Sequence, residues 1–101
     1  MNAIALTEGE LALVRAILQE HLPPDVKVSV FGSRAGGRVK PFSDIDLLLE
    51  GPAPLSLSQL GTLADAFDES LLPYKVDLVD RRSVDDRFGA IVDATKVPLP
   101  R

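Results

Sequence analysis

Three segments of this chain alternate apolar and polar residues with a period of two, and segments with helical spacing separate them. Val26, Val28 and Val30 alternate with Lys27 and Ser29 in the first, which stops at Gly32. Ile45, Leu47 and Leu49 share one face of the second, from Asp44 to Glu50, and Lys75 to Asp80 is the third. Ahead of them, Thr7 and Glu10 stand at capping-box spacing before Leu11, Val14, Leu18 and Leu22, a helix that Pro23 and Pro24 end. Ser56 and Gln59 open another, with Leu57, Leu60, Ala64, Phe67 and Leu71 on one face up to Pro73. Ser83 is expected to cap a last helix, with Asp85 and Asp86 near its positive end and Val84, Phe88 and Ile91 inward. Ser33 to Phe42 is Gly-rich and basic, a short helix or turn and then a loop. This order predicts an α/β (α+β) fold, a small mixed β-sheet flanked by helices.

A chain of 101 residues has room for one domain, so one core and its loops must supply all the chemistry. That domain is expected to span 1–101, with a proline-containing tail from about residue 96. A balance of 46% hydrophobic and 26% charged residues excludes a disordered or fibrous chain, and no apolar run nears the roughly 18 residues of a membrane span. The absence of cysteine removes disulfide scaffolds, thiolate metal sites and cysteine nucleophiles, and a single histidine removes multi-histidine zinc sites. Any metal must therefore be held by oxygen. Met1 to Leu6 lacks the basic start and apolar stretch of a signal peptide, so a cytoplasmic location is expected. The net charge of -4 is the wrong sign for gripping nucleic acid directly. Locally the balance reverses: no acidic residue falls between Val26 and Ser43, where Lys27, Arg34, Arg38 and Lys40 all lie, and carboxylates return at Asp44 and Asp46.

Asp44 and Asp46 are two apart on a strand, so both carboxylates project from the face opposite Ile45 and Leu47. Like charges at that spacing cost stability unless a cation lies between them, and Mg²⁺ binds carboxylate oxygens in this way. A solvated strand edge would carry the same two residues. Asp77, flanked by inward Val76 and Leu78, also points away from the core and completes a three-carboxylate set; Asp80 is the competitor, and strand alternation favours Asp77. Gly32 and Ser33 sit where a strand becomes a turn, so backbone N–H groups and a hydroxyl there form either an anion seat or an ordinary tight turn.

The combination is more specific than its parts. A strand, Gly-Ser, ten residues, Asp-Ile-Asp and a later strand aspartate, with FGSRAGGRVKPFSDIDLLLEG from Phe31 to Gly51, resemble the DNA polymerase beta-like nucleotidyltransferase superfamily. Within it the chain is similar to the minimal nucleotidyltransferases, single-domain members that occur as antitoxins paired with helical HEPN-type toxins. The resemblance runs from about Leu11 to Ala94. It implies the nucleotidyltransferase fold, with Gly32, Ser33 and Arg34 at the nucleotide triphosphate. It also implies that Asp44 and Asp46 bind metal, with Asp77 as the third carboxylate and proton acceptor. The implied cofactor is Mg²⁺, as two ions, and the implied substrate is ATP. The implied reaction moves AMP to a hydroxyl of a partner protein, a tyrosine of the HEPN-type toxin, and so neutralises it. The alternative is a non-catalytic antitoxin acting by contact alone. A third reading, a core acting on nucleic acid or a small molecule, is opposed by the acidic charge and the lack of an accessory domain. Relatives commonly carry arginine where this chain has Gly36, and Arg34, Arg38 and Lys40 are either compensating phosphate contacts or a solvated basic loop. His21, Tyr74, Arg81 and Arg82 read as local charge partners or surface residues.

Overall fold

The computed structural model describes residues 4–35 and 43–100, apart from the Ser33 side chain. Helix α1 (Glu8–His21) begins at a reciprocal capping box: Oγ1 of Thr7 accepts the Glu10 N–H at 3.1 Å, and Oε1 of Glu10 accepts the Thr7 N–H at 2.9 Å. After Pro23 and Pro24 come β1 (Lys27–Phe31), a 3₁₀ turn at Gly32–Arg34, and β2 (Ile45–Glu50). The chain continues through α2 (Leu57–Asp68), β3 (Val76–Asp80), a second 3₁₀ turn at Arg81–Ser83, α3 (Asp86–Thr95) and β4 (Val97–Pro98). The strands form one sheet in the order β3-β2-β1-β4, in which β1 is antiparallel to β2 and β4 while β2 and β3 are parallel. The sheet is mixed, as the sequence predicts. Among the described residues no helix is long and apolar enough to cross a membrane.

Alternation along the strands divides the sheet into two unlike faces. Val28, Val30, Ile45, Leu47 and Leu49 point into a core completed by Val14, Ile17 and Leu18 of α1 and by Leu63 and Phe67 of α2. The other face carries Phe31, Asp46, Leu48, Asp77 and Val79. There α3 contributes Phe88, whose ring meets Phe31 edge-on with centroids 6.2 Å apart. A largely apolar layer on one side, with Asp80 at its edge as the exception, leaves the other free to hold the remaining strand carboxylates.

Three local expectations are corrected. Residues from about 96 are not a tail: Val97 and Pro98 pair with Val30 and Ser29, the Leu99 N–H bonds to the Val28 carbonyl at 2.9 Å, and Leu99 is 4% exposed. The β1 edge would otherwise be unpaired, and proline is tolerated because β4 is itself an edge. Helix α3 is capped by Asp85, whose Oδ1 accepts the Phe88 N–H at 2.7 Å, and not by Ser83. The helix consequently buries Gly89 and Val92 and leaves Phe88 and Ile91 exposed. In α2, Leu57 and Leu71 are exposed too. Leu57 is the first residue after the cap, and Leu71 lies beyond the helix end, where Oγ of Ser70 donates to the Phe67 carbonyl at 2.6 Å.

Candidate active site

The aspartates expected to act together come from neighbouring strands. The parallel register pairs Asp46 of β2 with Asp77 of β3, which puts their backbones about 4.8 Å apart across the ladder. Asp44, one residue before β2, is exposed, and alternation gives it the same side as Asp46. Burial first, then the charges of Asp77 and Asp44, push the Asp46 carboxyl above the ordinary carboxylate range. Among the described residues, no three His, Cys, Asp or Glu side chains stand close enough together to hold a metal ion.

Gly32 fits this cluster from below. Its φ is +73°, and an added Cβ would collide with Oδ2 of Asp46 and lie 3.3 Å from its Cγ. Only glycine serves there, on both conformational and steric grounds. Ser33 is the middle residue of the 3₁₀ turn; its side chain, with the hydroxyl expected at the anion seat, lies outside the described residues, as do Gly36, Arg38 and Lys40. An all-oxygen donor set beside a Cβ-less backbone position, with the Asp46 carboxyl raised by burial and by its two acidic neighbours, suits a hard divalent cation.

The Arg34 side chain is committed to the fold. The sequence reading put it at the triphosphate, but it is only 4% exposed. Its Nε donates to the Ser43 carbonyl at 3.0 Å and its Nη1 to the Ala5 carbonyl at 2.8 Å, while the guanidinium lies 3.9 Å over the Tyr74 ring. Asp80, the competitor of Asp77, is also committed elsewhere. It is buried on the core face, Oδ2 accepts the Leu55 N–H at 2.8 Å, and Oδ1 accepts the Arg82 N–H at 3.0 Å. Arg81 pairs with Asp93 at 3.0 Å and Arg82 donates to the Gly51 carbonyl, in keeping with local pairing.

The domain model "Nucleotidyltransferase domain" matches residues 11–97. This chain belongs to that family. The family's fold, an α+β mixed sheet with three helices, is the one described above. One relative, the Haemophilus influenzae protein named "Probable protein adenylyltransferase MntA", is 43% identical over 83 residues, covering 82% of this chain and 72% of that protein. The chain is thus a homologue of an adenylyltransferase. Among solved structures, a toxin–antitoxin complex with AMP-PNP contains a chain that matches with a TM-score of 0.75 at 25% identity, over 89% of this chain and 72% of that one. A second complex, of tri-AMPylated Shewanella oneidensis HEPN toxin with MNT antitoxin, matches in fold with a TM-score of 0.67 at 23% identity, over 89% and 68% of the two chains.

Beside the candidate site lies a residue that sequence reading passed over. Nζ of Lys75 lies 3.6 Å from Oδ1 of Asp77, with the lysine 70% exposed. The signal was present, since residues two apart in an extended segment share a side. Two surface depressions lie at the opposite end of the sheet, around Glu50 and Arg81 and around Glu50 and Lys96, and neither includes Gly32, Asp44, Asp46 or Asp77.

Proposed function

We propose that this chain is a Mg²⁺-dependent protein adenylyltransferase that transfers AMP from ATP to a tyrosine hydroxyl of a HEPN-type toxin and thereby acts as its antitoxin. The observation that carries the reading is Asp46, faced by Asp77 and Asp44 above the Cβ-less Gly32. The homology to MntA and the likeness to a toxin–antitoxin complex with AMP-PNP support the nucleotide and the kind of partner. The AMPylated HEPN toxin held by a protein of the same fold supports the acceptor. A cytoplasmic location accords with ATP as substrate.

Asp44, Asp46 and Asp77 would hold the Mg²⁺, which when bound neutralises triphosphate charge and makes the attacking hydroxyl more acidic. Gly32 lets the triphosphate approach the backbone beside Asp46, where a side chain would stand in the way. Asp77 accepts the hydroxyl proton on a carboxylate oxygen. The acceptor oxygen bonds to the α-phosphorus as the bond to the β-phosphate oxygen breaks, and pyrophosphate leaves with the electron pair. Lys75, beside Asp77, adds positive charge near that exchange.

The test is to incubate the chain with labelled ATP, Mg²⁺ and the product of the adjacent gene. Label is expected on a tyrosine of that protein, and Asp44→Asn with Asp46→Asn should reduce transfer by on the order of 10³-fold without unfolding the chain. No label, with both proteins folded, overturns the proposal. Neutralisation that survives the double substitution would instead mean that contact suffices.

A further inference from the structure

We propose that Arg34 is a positioning residue: it clamps the entry of β2 to the entry of β3 and so sets how Asp44 and Asp77 stand to each other. The catalytic meaning of the clamp rests on the metal-binding reading of those aspartates, but the clamp itself does not.

One guanidinium joins three segments that are remote in sequence. Nε donates to the carbonyl of Ser43, the residue directly before Asp44. The cation lies over Tyr74, the residue directly before Lys75. Between these two contacts runs the Ile45 N–H to Lys75 carbonyl bond, 2.9 Å long, at the end of the β2/β3 ladder where the aspartates lie. Nη1 meanwhile donates to the Ala5 carbonyl, and the Ala5 N–H returns to the Arg34 carbonyl at 2.9 Å, anchoring the arginine from the side of α1. Tyr74 also helps hold the carboxyl of Glu10 below its usual range, behind the larger effect of the Thr7 N–H, so the cluster reaches the α1 cap.

The chemistry explains why arginine serves. Its planar fork donates in two directions within one plane while its face stacks on an aromatic ring, whereas a lysine ammonium is a point donor with no face to stack. Strand ends fray first, and Asp44 lies just before the first regular residue of β2. The Ser43 bond ties the residue before Asp44 to the same guanidinium that stacks on Tyr74.

The experiment compares wild type with Arg34→Lys, Tyr74→Leu and Tyr74→Phe. Three quantities are read: amide exchange at Ile45 and Leu49 by NMR, Mn²⁺ affinity, and AMP-PNP affinity in EDTA. In Arg34→Lys and Tyr74→Leu the Ile45 amide should exchange about tenfold faster, while Leu49, further along the same ladder, stays within about twofold. Mn²⁺ affinity should fall about fivefold to tenfold in both, AMP-PNP affinity should hold within about twofold, and Tyr74→Phe should behave as wild type. Unchanged Ile45 exchange in both variants overturns the clamp, and equal acceleration at Ile45 and Leu49 overturns it too, because that is general loosening. Loss of AMP-PNP affinity in Arg34→Lys with Ile45 unchanged would return Arg34 to the phosphates. A wild-type chain that binds no Mn²⁺ would defeat the metal reading, while the Ile45 result would still decide the clamp.

Discussion

Burial, Asp77 and Asp44 raise the Asp46 pKa in the folded chain above its ordinary 3.8. Through the window from 3.8 up to that raised value the native state binds more protons than the unfolded chain, so stability falls as pH rises and stays lower above the window. Asp46→Asn should therefore raise the melting temperature of the metal-free chain at pH 7.5 by about 2–4 °C, with the gain gone at pH 3.5, while abolishing AMP transfer. Thermal melts in EDTA at the two pH values check this, and an unchanged melt at pH 7.5 would refute the repulsion account. Gly32→Ala should cost about 1–3 kcal/mol in urea unfolding, because alanine is strained at φ +73° and meets Asp46. The facing of these aspartates was legible because alternation alone assigns Asp44, Asp46 and Asp77 to one side and Asp80 to the other. Arg34 was not. An arginine in a basic loop reads as a phosphate ligand until folding brings Ala5 and Tyr74 to it, and no local pattern announces those partners.

Elements were legible where their signals were local and unrivalled. The capping boxes at Thr7 and Ser56 both form, and Ser56→Ala should cost about 1 kcal/mol by removing the oxygen that accepts the Gln59 N–H. A denaturation midpoint unmoved by that change would mean that α2 draws its register from packing alone. The start of α3 was ambiguous because Ser83 and Asp85 are both good caps. Asp80 resolves it by capping the 3₁₀ turn, with the Ser83 hydroxyl 3.3 Å from its carboxylate, which leaves Asp85 to the helix. Strand β4 was hidden for a different reason: two residues, one of them proline, are too few to display a period. Leu99→Ala should nonetheless destabilise the chain by about 2–4 kcal/mol in urea unfolding, since Leu99 is buried in the main core. A loss below about 0.5 kcal/mol would restore the tail.

For the molecule as a whole, a divalent cation that binds only the folded chain stabilises it by mass action, about 2.7 kcal/mol at a concentration 100 times the dissociation constant. Mn²⁺ should raise the melting temperature of wild type at pH 7.5 and leave Asp46→Asn nearly unmoved; equal shifts would mean that the ion binds elsewhere. The layering of helices on a mixed sheet could be read from the alternation of periods, but the strand order could not, because which strands pair is decided by long-range packing. That order has one more effect. The aspartates lie at the leading ends of the parallel strands β2 and β3, and the helix that links them, α2, starts beyond the far end of β2. The α2 macrodipole therefore turns its negative pole toward the candidate site, opposite to the arrangement in which a helix amino end receives phosphate. On the proposed reading, that field gives an arriving polyphosphate no help, and its charge would be met by the metal and by Lys75.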